Sequence, residues 1–288
     1  MAITASAVQE LRKLTSAGMM ACKKALTETD GDFEAAAKLL REKGEAKRSD
    51  RSDRETSEGI VAAYVSSCAK TGVLAEINCE TDFVAKNEAF QAFVGEIVET
   101  IANSDAADVD SALQVSFGEG TVENALGAKF TELGEVIKIS RLTRFAVDAG
   151  AAASYIHMGG KVGVLIEVAT EKPETTADAS FQELVKDITL HVAAANPAGL
   201  TREDIDASSV EEENEINRKQ LIAEGKPEQI IDRILEGKIN KFFGEQVLLE
   251  QSFVKDPDIS ITQLLEAKSK ELGDTLKLVR YERFSVGA

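Results

Sequence analysis

The chain has 288 residues, 43% of them hydrophobic, enough for two or three compact units rather than one. Its net charge of −17 repels phosphate backbones and argues against a broad nucleic-acid footprint. Cys22, Cys68 and Cys79 are too far apart for local C-x-x-C ligation, residues 1–20 lack a signal-peptide pattern, and no apolar run approaches the roughly 18 residues of a membrane span, so a soluble cytoplasmic protein with reduced thiols is expected.

Residues 1–44 predict three short helices. Ile3, Ala7, Val8, Leu11 and Leu14 stripe the first, with Gly18 expected to end it. Cys22, Ala25 and Leu26 mark the second. Asp32 can cap the third, where Phe33, Ala36, Ala37 and Leu40 follow helical spacing and Gly44 is expected to close the element. So small a unit has little core of its own and reads as a satellite module. From Glu45 to Glu58 nearly every residue is charged or small and polar, the composition of a solvated linker.

Beyond the linker the chain repeats itself. Tyr64, Gly72, Val73, Leu74, Glu76, Phe90, Gln91, Val94 and Ile97 recur 91 positions later as Tyr155, Gly163, Val164, Leu165, Glu167, Phe181, Gln182, Val185 and Ile188. Gly134, Lys138, Arg141, Arg144, Phe145 and Val147 recur 139 positions later as Gly273, Lys277, Arg280, Arg283, Phe284 and Val286. The offsets differ by 48 residues, so the second copy carries an insertion. Each copy predicts strand, turn, strand, helix, spacer, strand. Gly72–Ile77 and Gly163–Val168 read as buried strands, Phe90–Ala102 and Phe181–Ala194 as amphipathic helices, and Val136–Val147 as an alternating strand. Three antiparallel strands with helices on one face make an α+β unit, here duplicated as residues 59–148 and as 149–197 with 256–288.

The insertion, residues 198–255, predicts a helical hairpin. Val210–Glu224 is polar apart from Ile216 and Leu221, and Gly225-Lys226-Pro227 breaks it. Ile230, Ile231, Ile234, Leu235, Ile239, Phe242 and Phe243 then form a strong apolar stripe. The first helix offers too little apolar surface to cover the second, which leaves room for a partner.

The copies are most informative where they differ. Glu80-Thr81-Asp82-Phe83-Val84-Ala85-Lys86-Asn87 joins strand to helix in the first, whereas the second has the bland loop Glu171-Lys172-Pro173-Glu174-Thr175. Phe83 could be a core residue behind a helix capped by Thr81 or Asp82. Alternatively, it is a rigid wedge, since aromatics on connecting loops are enriched among binding hot spots.

Thr81-Asp82-Phe83-Val84-Ala85-Lys86-Asn87 resembles the signature of the elongation factor Ts family, and Met19-Met20-Ala21-Cys22-Lys23-Lys24-Ala25-Leu26 resembles that family's N-terminal signature. The likeness covers essentially the whole chain. It implies a ubiquitin-associated-like module, a linker, a duplicated core and a coiled-coil insertion. The implied activity is guanine-nucleotide exchange on elongation factor Tu, without enzymatic chemistry and without a cofactor or metal of its own. Thr81, Asp82, Phe83 and Val84 would enter the partner's nucleotide domain near its magnesium site; Met19, Met20 and Lys23 would touch the same domain. His157 would face another domain of the partner, and the coiled coil a further part of it or a second copy of this chain. The likeness departs where Ala21 replaces the Asp of many relatives, and where the sequence ends soon after Phe284 while some relatives continue into another helical module.

Without the likeness, Met19 and Met20 would read as helix-start core, His191 as structural, and Arg141, Arg144, Arg280 and Arg283 as solvated strand faces paired to carboxylates. An adaptor, or a hydrolase with Glu80, Asp82 and His157 on a metal, are the competing readings. No H-E-x-x-H, nucleophile elbow or phosphate-binding glycine loop supports chemistry or nucleotide binding by the chain itself.

Overall fold

The computed structural model describes residues 3–15, 17–49 (side chains through Gly44) and 54–288. Three helices open the chain: α1 (Ala5–Thr15), α2 (Met19–Glu28) and α3 (Phe33–Ser49). Their expected stripes meet in one small core of Val8, Leu11, Cys22, Ala25, Leu26, Ala36 and Leu40. The N–H of Ala35 donates to Asp32 Oδ1 at 3.0 Å, the cap anticipated for α3.

Three local expectations need correction. Leu14 leaves its stripe and is 70% exposed; at the last turn of α1 it lines a cleft with Leu40, Phe117 and Thr131 instead. Gly18 does not end α1 but starts α2 as extended backbone, offering no side chain to the first amides. Gly44 does not close α3, which runs on to Ser49 through the first part of the expected linker. Residues 50–53 of that linker lie outside the described residues.

The first half of the core comprises the hairpin strands β1 (Glu58–Val65) and β2 (Thr71–Cys79), followed by α4 (Asp82–Ala85) and α5 (Glu88–Ala102). Then come α6 (Val109–Leu113), the two-residue strands β3 (Ser116–Phe117) and β4 (Gly120–Thr121), α7 (Val122–Leu133) and β5 (Lys138–Ala146). The antiparallel order is β1-β2-β5, with α5 laying Phe90, Val94, Ile97 and Ile101 into the core. Val136 and Ile137 are both buried, so the alternation expected from 136 begins only at Lys138.

The second half repeats the pattern with β6 (Ala151–His157), β7 (Val162–Thr170) and α8 (Ala179–Ala195). The insertion follows as α9 (Ala207–Ala223) and α10 (Glu228–Gln246). The half closes with β8 (Ser252–Phe253), β9 (Asp256–Ser260), α11 (Ile261–Leu272) and β10 (Leu276–Ser285), in sheet order β10-β7-β6. The architecture is α+β, as the periodicities predict.

The two sheets share a core of Val61, Leu74, Phe145, Val147, Ala152, Leu165 and Phe284. Contacts across it come in equivalent pairs. Val61 N–H donates to Gly160 O (2.7 Å) and Ala152 N–H to Ala69 O (2.8 Å); within each half, Val147 N–H donates to Lys70 O (2.8 Å) and Val286 N–H to Lys161 O (3.0 Å). The repeated glycines allow this approach: a β-carbon on Gly163 would lie 2.4 Å from Val61 Cγ1, and one on Gly72 2.7 Å from Leu165 Cδ1.

The repeated arginines are more than solvated strand residues. Arg141 binds Glu76 of its own half (Nε to Oε2, 2.8 Å), donates to Ser285 O (2.8 Å) and lies 4.6 Å over the Phe284 ring. Arg280 binds Glu167 (2.7 Å), donates to Ala146 O (3.3 Å) and lies 4.1 Å over Phe145. Each guanidinium satisfies a carboxylate of its own half and stacks on an aromatic ring of the other.

In the insertion, Leu221, Ile231 and Leu235 seal the two helices together, with Ile234 beside them. Ile216 turns outward and is exposed, while the adjacent Asn217 is buried and accepts from Lys238 Nζ at 2.9 Å. The hairpin's base is fixed by Arg202, which binds Glu250 through two nitrogens (2.6 and 2.7 Å) and covers the Phe243 ring at 4.4 Å.

Candidate functional site

The loop after β2 is held from behind and bare in front. Thr81 caps α4, its hydroxyl accepting from Val84 N–H at 3.5 Å. Glu135, just before β5, receives both the Thr81 N–H (3.0 Å) and the Thr81 hydroxyl (2.6 Å). Glu80 accepts from Val136 N–H at 2.8 Å and pairs with Arg54. At the far end Asn87 caps α5 by accepting from Ala89 and Phe90 N–H groups, and Gln91 Nε2 donates to Ala85 O. Val84 rests on the first core. Between these ties the Phe83 ring stands 82% exposed.

Asp82 projects beside it and pairs with Lys86 Nζ at 2.6 Å, one helical turn on. That hydrogen bond, with the charges of Lys86 and Lys161, holds the Asp82 carboxyl below the usual carboxylate range. Lys161 itself pairs with Glu58 at 2.7 Å, which brings the β6–β7 turn into the electrostatic neighbourhood of this loop.

Glu135 was not singled out in the sequence, yet a signal existed. Its equivalent 139 positions on is Asp274, which accepts from Glu171 N–H (3.1 Å), Lys172 N–H (3.2 Å) and Thr175 hydroxyl (2.6 Å). Both halves therefore pin the same loop with a carboxylate from the segment before the closing strand. Only the first presents an aromatic ring there; the second holds a short 3₁₀ turn, Pro173–Ala177.

The remaining candidates are distributed. Met19 (59%) and Met20 (75%) are exposed at the first turn of α2, not in the module core, and Lys23 is exposed one turn later. Cys22, Ala25 and Leu26 already fill the inward face of that short helix, which leaves the methionines outside. His157 ends β6, exposed, with Tyr155 hydroxyl 2.9 Å from its Nδ1. His191 is structural: its Nδ1 accepts from Val254 N–H (3.3 Å), so its Nε2–H donates to Gln251 Oε1 (2.9 Å). Burial lowers its pKa and keeps the ring neutral. Glu80, Asp82 and His157 do not form a metal centre, since Glu80 and Asp82 are committed to Arg54 and Lys86. Among the described residues no group of three or more His, Cys, Asp or Glu side chains could hold a metal, and no helix is long and apolar enough to cross a membrane.

Comparison with known proteins agrees with the signatures. A family model described as elongation factor TS matches residues 80–288. The chain is 46% identical over 286 residues to an elongation factor Ts of Clostridium perfringens (strain SM101 / Type A), covering 99% of this chain and 93% of that one. It is 44% identical over 286 residues to one of Clostridium botulinum (strain Eklund 17B / Type B), with the same coverage. Against one of Trichlorobacter lovleyi it is 43% identical over 290 residues, covering 100% of this chain and 93% of that one.

Proposed function

Because the chain belongs to the elongation factor Ts family, we propose that it acts as a guanine-nucleotide exchange factor for elongation factor Tu in translation elongation. It does so in the cytoplasm as a binding protein, without bond-making chemistry or a cofactor of its own. The observation that carries this reading is Phe83, a large apolar ring exposed on a loop braced at both ends. A ring in that position costs little to order on binding and presents its full face to a partner.

The mechanism is linkage. A factor that binds the nucleotide-free GTPase better than the loaded one weakens nucleotide affinity by the same ratio. The partner's Mg²⁺ and phosphate-cradling amides are its main hold on GDP, so a wedge of Asp82 and Phe83, flanked by Thr81 and Val84, acts where displacement counts most. Burial of the Phe83 ring contributes about 2 kcal/mol or more. Met19, Met20 and Lys23 form a second patch on the same partner domain, and His157 a third on another domain. In this reading the N-terminal helices are the ubiquitin-associated-like module. The insertion is the coiled coil, which docks a further part of the partner or a second copy of this chain.

The test is release of fluorescent GDP from purified elongation factor Tu. Wild-type chain should accelerate it, and Phe83→Ala should lose most of that acceleration with unchanged melting; Asp82→Ala apportions the acid's share. A basal release rate with wild type would dispose of the function. Full activity in both variants would leave exchange standing without the wedge.

A further inference from the structure

The surfaces assigned to the partner lie on two separate modules: Phe83 on the first half of the core, and Met19 and Met20 on the N-terminal helices. Something must hold the modules in register. The helix α3 leaves the N-terminal core after Leu40, its last buried apolar residue there, and continues as a rod. One turn later, on the same face, Gly44 is buried against α7. The receiving helix is firmly seated, with Val122, Leu126 and Phe130 buried below it and a capping box at Thr121.

Glycine inside a helix weakens it relative to alanine, so its presence at 44 calls for a compensating reason. Space supplies that reason. A β-carbon on Gly44 would lie 2.5 Å from Thr131 Oγ1, but 3.7 Å from Thr131 Cβ. Helix axes ordinarily stay 8–10 Å apart according to the side chains between them, and removing one side chain lets backbone approach backbone. Gly127 and Ala128 of α7 line the neighbouring cleft opposite Ala37 and Leu40 of α3, beside the Gly44–Thr131 contact.

We infer that Gly44 is a positioning residue, whose crossing with Thr131 fixes the N-terminal helices, and with them Met19, Met20 and Lys23, relative to Phe83. The inference rests on the exchange reading for its functional consequence, while the seat itself is a property of the chain alone.

Two readouts separate the two. Spin labels at Lys24→Cys and Glu96→Cys, both exposed positions, in a Cys68→Ser background report the distance between modules by double electron–electron resonance. Fluorescent-GDP release from elongation factor Tu reports function. Wild type should give one narrow distance. Gly44→Leu, a better helix former than glycine, should keep the helical circular dichroism but broaden and shift the distance and slow release at least tenfold. Gly44→Ala combined with Thr131→Ala removes the clashing atom and should restore the distance and bring release within twofold of wild type. Phe83→Ala should lose release with the distance unmoved. A wild-type distance in Gly44→Leu would overturn the seat, and a shifted distance with wild-type release would overturn the positioning role. A wild-type chain that released no nucleotide would sink the exchange reading and leave the distances to decide the seat.

Discussion

The guanidinium of Arg280 lies 4.1 Å over the ring of Phe145, a stack between residues of opposite halves. The same guanidinium neutralises Glu167, whose side chain is only 11% exposed. Arg280→Ala removes the stack and strands a poorly hydrated carboxylate. Because Arg280 is itself nearly half exposed, the cost is moderated to about 1–2 kcal/mol. Urea unfolding should show the midpoint fall at unchanged slope. Arg280→Lys should recover less than half of the loss, since an ammonium cannot both stack and bond along a planar fork. A midpoint equal to wild type in Arg280→Ala would remove the clamp from the account of stability.

Glu76 gives the fold an acid-sensitive point. Burial alone would raise its pKa, but Gly287 N–H (3.0 Å), the Asn78 amide (2.9 Å) and Arg141 (2.8 Å) outweigh burial and hold it below the ordinary carboxylate value. A carboxyl with a depressed folded pKa contributes stability above its unfolded pKa of about 4.3 and loses it as pH falls through the folded value. Urea midpoints measured from pH 6 to pH 3 should therefore fall more steeply in wild type than in Glu76→Gln. Parallel curves would refute the linkage.

Glu135 sets the stiffness of the exposed loop. Glu135→Ala leaves the Thr81 N–H and hydroxyl without their acceptor. Hydrogen bonds to charged groups contribute about 1.5–3 kcal/mol, so exchange of the Thr81 amide with deuterium should speed roughly tenfold or more. Nucleotide release should also weaken although Glu135 carries no exposed ring. Unchanged amide protection would mean that the cap and Asn87 hold the loop unaided.

The thiols should react in two classes. Cys68 is exposed in the β1–β2 turn, where the Ser66 hydroxyl and the Lys70 backbone hold its pKa below the ordinary thiol value. Cys79 is buried, its Sγ–H donates to Thr81 O at 3.2 Å, and burial, reinforced by Glu135, pushes its pKa up to about 11. Cys22 is buried in the N-terminal core. One thiol should react with a disulfide reagent in the native protein and the other two only with denaturant. Fast labelling of Cys79 would indicate that the loop above it opens readily.

Most of the α+β core was legible because the duplication reports on itself: two residues at a fixed offset do the same work, as Phe90 and Phe181 do beneath their sheets. The exposed Phe83 loop was legible as a difference between copies. What escaped the sequence were contacts between distant segments. Gly44 carries the local signature of a helix end, and only the approach of α7 explains a buried glycine in mid-helix. Arg141 and Arg280 sit on strands whose period suggests solvent, yet the opposite half supplies each with a ring. Asn217 lies inward where Ile216 was expected, because Lys238 crosses from the facing helix to meet it. Leu14 obeys helical spacing, but in the last turn of α1 it lies past the module core and faces the cleft toward Phe117.

The kinship of Glu135 and Asp274 has a constructive side. The loops they fasten have equal length, and the second half keeps its fastening with nothing displayed upon it. It amounts to a vacant mount. Grafting the Thr81–Lys86 hexapeptide onto positions 172–177 would set a second aromatic ring on the loop of the other half, behind a fastening already in place.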